Sequence, residues 1–108
     1  MSKITIYNKL VRDKIPDIIE QSGKKANYHS LDYKEFQHAL KVKLVEEANE
    51  LLNAKTPKEE LEELADIYEI IMFFTHDPSE VKMAAFKKRK ERGWFAKHIF
   101  LESVEEDD

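Results

Sequence analysis

The chain contains no cysteine and only two glycines and three prolines in 108 residues. Without a thiol, neither a disulfide nor a thiolate metal site can form, and a cytoplasmic setting is expected by elimination. So few glycines and prolines leave little material for tight turns, so long regular elements, mostly helices, are expected. No apolar run approaches the ~18 to 20 residues that a membrane span needs. The opening Met1-Ser2-Lys3-Ile4-Thr5-Ile6-Tyr7 lacks the long apolar region of a secretory signal. A surplus of basic residues is missing as well. The net charge of −4 speaks against nucleic acid as a partner. It leaves room for an anionic substrate, because bound metal ions would reverse the local field.

Charge itself is abundant: 37% of residues are Asp, Glu, Lys or Arg. The length suits one domain with a modest core. Residues 1–101 read as a single helical domain and 102–108 as an acidic tail, frayed as chain ends usually are. Residues 1–8 alternate, with Ile4 and Ile6 apolar and Thr5 and Tyr7 between, in a way that permits a short strand or extended arm, and residues 25–31 read as strand or loop. Between them, Leu10 or Val11, Ile15, Ile18 and Ile19 fall at helical spacing, with Pro16 breaking or starting a helix and Gly23 ending it.

Asp32 followed by Glu35 is a capping signal, and a helix is expected from about Tyr33 to Ala54. Its apolar stripe would be Phe36, Leu40, Leu44, Ala48, Leu51 and Leu52. Thr56-Pro57-Lys58-Glu59 starts a second helix, which runs to about His76. From Ile67 to Phe74 that helix is apolar nearly all round, interrupted only by Glu69. A helix of that kind is central in its domain or covered by a partner subunit. In so short a chain, a homodimer or homotetramer is therefore expected. Asp77-Pro78-Ser79-Glu80 starts a third long helix, stopped by Gly93. Residues 94–101 are apolar enough to pack back on the bundle, with a strand at Ile99 to Leu101 as their end. The fold class expected is all-α: an antiparallel bundle of three to four helices with minor extended segments, completed by dimerisation.

Two acidic clusters stand out on this background. Glu46-Glu47-Ala48-Asn49-Glu50 lies in the first long helix and Glu63-Leu64-Ala65-Asp66 in the second, with twelve residues between them. Residues three apart share a helix face, so Glu47 pairs with Glu50 and Glu63 with Asp66. Glu47 also lies between Leu44 and Leu51, beside the packing stripe, where a glutamate is uncommon. Antiparallel helices joined through Thr56-Pro57 would turn all four carboxylates toward one another. Such a concentration of like charge is costly unless cations separate it. Hard divalent ions with oxygen ligands, Mg²⁺ or Mn²⁺, are the expected occupants. Such a site suits phosphoanhydride hydrolysis, because the metal neutralises phosphate oxygens and acidifies an attacking water.

With these residues in view, the chain resembles the MazG-like all-α nucleoside triphosphate pyrophosphohydrolases. Their pattern is EExxE, a gap of roughly one to two dozen residues, then ExxD. Glu46, Glu47, Glu50, Glu63 and Asp66 match it. Tyr7-Asn8-Lys9-Leu10-Val11-Arg12-Asp13-Lys14-Ile15-Pro16 and Arg92-Gly93-Trp94-Phe95 are similar to segments of small stand-alone members, which often read RGGF where this chain has Trp94. The resemblance implies Mg²⁺-dependent cleavage of a nucleoside triphosphate to the monophosphate and pyrophosphate, in dimers or tetramers. It implies Glu47, Glu50, Glu63 and Asp66 as metal ligands. Glu46, beside Glu47, would be the auxiliary carboxylate that positions or deprotonates water, and Lys43 would face phosphate.

Other readings stay open. Ala65-Asp66-Ile67-Tyr68 resembles phosphoribosyl-ATP pyrophosphohydrolase of histidine synthesis, and a non-catalytic, metal-stabilised oligomerisation module is the alternative outside enzymology. The basic run 87–92 reads as an exposed helix end favourable to the dipole; its functional reading is attraction of the triphosphate through Lys88 and Arg92. Arg12, Asp13 and Lys14 form either an ion-pair corner or part of the substrate site. His29, His38, His76 and His98 show no metal-ligand spacing, and Trp94 and Phe95 read as core or interface anchors.

Overall fold

Local start and stop signals account for the four helices of the computed structural model, which describes residues 3–107. Helix α1 (Ile15–Gln21) opens on Pro16, whose missing N–H costs nothing in a first turn. It closes with the Ser22 hydroxyl donating to the Ile19 carbonyl at 2.6 Å and with Gly23 at φ +88°. Helix α2 (Tyr33–Asn53) begins in a complete capping box: Glu35 N–H donates to Asp32 Oδ1 at 2.8 Å, and Asp32 N–H donates to Glu35 Oε1 at 3.3 Å. Thr56 caps helix α3 (Pro57–Phe74) by accepting from Glu59 N–H at 3.1 Å, while Glu59 accepts from Lys55 N–H at 2.9 Å. Asp77 caps helix α4 (Pro78–Arg92) through Ser79 N–H at 3.0 Å, and Gly93 at φ +87° ends it.

The described chain forms two compact units, the first ending at Phe74 and the second starting at Thr75. In the first, α2 packs along α3. Gln37 Nε2, near the start of α2, donates to the Phe74 carbonyl at the end of α3, at 3.4 Å. Near the other end, Glu47 meets Glu63 and Asp66. Partners that advance along one helix as they retreat along the other mean that the two run antiparallel, as the short connection requires.

The inner stripe of α2 is Phe36, Leu40, Lys43, Glu47 and Leu51; that of α3 is Glu63, Asp66, Ile67 and Ile70. Of these, Leu40 and Ile70 are the buried apolar residues. The expected α2 stripe is thus corrected at three places: Leu44, Ala48 and Leu52 are exposed, Leu52 by 81%. With α3 as the one helix packed along it, α2 buries a narrow seam, and the flanking apolar positions stay outside.

Other expectations change too. Among the described residues there is no strand: residues 3–8, 25–31 and 99–101 are irregular, because no second extended segment pairs with them; residues 1 and 2 lie outside the described residues. Within the single chain the apolar stretch of α3 is not central: Ile70 is its buried residue and Phe73 is 62% exposed. Nor do Trp94 and Phe95 act as core anchors. Phe95 is 98% exposed, and Trp94 is an exposed ring carrying the Arg89 guanidinium 3.8 Å from its centroid. Among the described residues no helix is long and apolar enough to cross a membrane.

Candidate metal centre

Glu47 occupies a position in the α2 seam where a leucine would be ordinary, and it is 4% exposed. A carboxylate so placed loses several kcal/mol of hydration, which only close cations or donors can return. Lys43, one turn earlier, places its Nζ 3.4 Å from Glu47 and 3.7 Å from Glu46. That leaves one oxygen unserved: Glu47 Oε2 is buried without a hydrogen-bond partner, and so is Glu63 Oε2.

The carboxyls fall into two groups. Oxygens of Glu46, Glu47 and Glu50 lie within 4.8 Å of one another on α2, and oxygens of Glu47, Glu63 and Asp66 do so across α2 and α3. Glu47 belongs to both. The four residues expected as metal ligands are therefore spread over two triplets that meet at one side chain. No histidine takes part in either.

Electrostatics within the groups are uneven. Burial pushes the Glu47 carboxyl up, but hydrogen bonding with Glu63 and Glu50, together with the Lys43 ammonium, outweighs it and holds the group below the usual range. Glu63 moves the other way: hydrogen bonding with Glu47 and then Glu50, joined by desolvation and their negative charges, pushes it up to about 8. Ionised carboxylates only accept hydrogen bonds. A proton held on Glu63 therefore offsets part of the negative charge gathered at these oxygens.

Two further cations come from the segment ahead of α1. Arg12 donates to Asp66 Oδ1 at 2.6 Å, and Lys9 Nζ stands 3.5 Å from Glu46 Oε1. Their partners are 54 and 37 residues away in sequence, so no local pattern announces them. The one signal in the sequence is that both fall in the stretch preceding α1 that also carries Lys14. For Arg12, an ion pair with Asp66 is what forms. Across both triplets, five carboxyls face Lys9, Arg12 and Lys43. With every carboxyl ionised, two negative charges remain, the charge of one divalent cation.

Lys43 lies at the acidic site as expected. Lys88 and Arg92 are exposed on α4, in the second unit. The donor set consists of carboxylate oxygens from two helices with two buried oxygens unpartnered, and it fits Mg²⁺ or Mn²⁺ better than thiophilic or imidazole-seeking metals. In comparisons with protein-family models, with curated proteins and with solved structures, no match to this chain was found.

Proposed function

We propose that the chain is a Mg²⁺-dependent nucleoside triphosphate pyrophosphohydrolase. The observation that carries this is the buried, unpartnered oxygen of Glu47 between carboxyls from both α2 and α3. An acid kept for structure alone would have both oxygens served; Glu47 has one served by Lys43 and the other buried and unserved beside four more carboxyls, which favours a role in holding a cation. Glu47, Glu50, Glu63 and Asp66 would hold the ion. When bound, it supplies charge neutralisation for phosphate oxygens and a more acidic water.

The chain's own groups supply the rest. Lys43, with Nζ against Glu46 and Glu47, offers a positive charge to the phosphate tail. Glu46 is half-buried and held by Lys9 and Lys43; it accepts a proton from water as the water oxygen bonds to phosphorus at the α–β linkage. The bridging P–O bond breaks, and pyrophosphate leaves with that electron pair. Lys88 and Arg92 serve only as general attraction for the anion. MazG-like membership, as the resemblance implies, is part of the same proposal.

Assembly into a homodimer or homotetramer belongs to it too. Leu61, Leu64, Tyr68 and Ile71 form an exposed stripe at three- and four-residue intervals on α3, a natural seam for a second copy.

The test is pyrophosphate release from a panel of canonical, deoxy and modified nucleoside triphosphates, with phosphoribosyl-ATP included. Monophosphate and pyrophosphate should appear in equal amounts with Mg²⁺ and vanish with chelator. Stabilisation by Mg²⁺ with no turnover of any compound would instead favour the non-catalytic module.

A further inference from the structure

Beside the acidic centre lies a recess of about 220 Å³, walled on one side by Asn8, Lys9 and Leu10 and on the other by one face of α2, His38, Ala39, Val42, Lys43 and Glu46. Leu10, Ala39 and Val42 are its apolar side chains, and more of its lining surface is apolar than polar. Its charged groups, Lys9, Lys43 and Glu46, are those that continue into the carboxylate cluster. Asn8 adopts φ +46°, a left-handed conformation that asparagine tolerates better than most residues. Lys9 and Leu10 follow directly after that bend. The volume is below the ~300–1,000 Å³ of sites that enclose a whole drug-sized ligand, so a flat ring fits better than an entire nucleotide.

We propose that this recess seats the base of the nucleotide substrate, ring between Leu10, Ala39 and Val42, with the phosphate tail leaving past Lys9 and Lys43 toward Glu47. The proposal rests on the pyrophosphohydrolase reading and adds the recognition element that reading lacks. Asn8 and His38 are the polar side chains placed to meet a base edge. Apolar walls with two such groups bind a flat ring but discriminate poorly between rings, since strong selectivity needs several paired polar contacts. The site is therefore tolerant of base identity.

The test compares binding of the α,β-methylene analogue of a nucleoside triphosphate with that of the corresponding base-free methylene triphosphate, both with Mg²⁺. The nucleotide analogue should bind at least about tenfold tighter, a difference of about 1.4 kcal/mol. Ala39→Leu, which fills the recess with a good helix former, should erase that advantage and leave base-free binding unchanged. Equal binding of the two ligands to the wild-type chain would overturn the base seat while leaving the phosphate chemistry intact. No binding of either would remove both. An advantage that survives in Ala39→Leu also counts against the seat. Should that variant misfold, a base-azido photoaffinity analogue on the wild-type chain decides: label within 8–10 or 38–46 is expected, and label confined elsewhere overturns the assignment.

Discussion

Glu47 carries opposite consequences for stability and for ion binding. Without metal, it is a buried charge served by one ammonium at 3.4 Å, with its second oxygen unpartnered. Glu47→Gln relieves repulsion from Glu46 and Glu50 but gives up the ion pair with Lys43, and the two oppose, so the metal-free melting temperature should change little. The Mg²⁺ concentration required for a given stabilisation should rise at least about tenfold, as for other losses from a metal's coordination environment. Thermal melts with and without Mg²⁺ would read both; a large drop in the metal-free melt would sink the idea that Glu47 is kept for a cation. Glu63 gives the pH dependence. Its ordinary value is 4.5, and the fold raises it to about 8, so over that interval the folded chain holds more proton than the unfolded chain. Its contribution is complete below 4.5 and is lost as pH climbs through 8, and metal-free stability should decline across the window. Glu47, held low, works in the reverse sense but only below 4.5. Denaturation midpoints in chelator should therefore fall with rising pH across the window. Mg²⁺ affinity should rise, because binding expels the proton. Midpoints that stay flat would mean Glu63 is ionised throughout.

At the scale of elements, the α2–α3 pair depends on a short apolar seam and on its caps. Leu40 is buried against α3, and Leu40→Ala should cost about 2–3 kcal/mol, the lower part of the range for core leucines, because so open a site relaxes readily. Asp32→Ala removes one arm of the capping box and should cost about 1 kcal/mol; urea titration measures both. The helix starts were legible because capping is local. Asp32 with Glu35, Thr56-Pro57 and Asp77-Pro78 each act within four residues of chain, and α2, α3 and α4 begin where they point. The inner face of α2 was read partly amiss because Leu44 and Leu52 look the same to a periodicity count whether a neighbour covers them or not. The triplets could be anticipated from three-residue spacing within each helix. Pairing of Lys9 and Arg12 with Glu46 and Asp66 could not, since it depends on how the chain ahead of α1 lies across the helix pair.

For the whole molecule, exposed apolar surface outweighs the enclosed core: Leu40 and Ile70 are buried, while Leu61, Leu64, Tyr68 and Phe73 on α3 are half or more exposed. A chain of 12.8 kDa with so little interior is expected to sediment as a dimer or tetramer. Leu64→Glu should shift it toward monomer and lower its melting temperature. Wild-type protein that sediments as a stable monomer would refute the assembly and leave the acidic centre to be judged alone. The double membership of Glu47 has one more outcome. The triplets are communicating vessels: electron density that Glu47 lends to an ion on the α2 side is withdrawn from one spanning α2 and α3. Filling should thus be sequential and antagonistic, with a first ion held firmly and any second held weakly until an incoming polyanion supplies fresh oxygens.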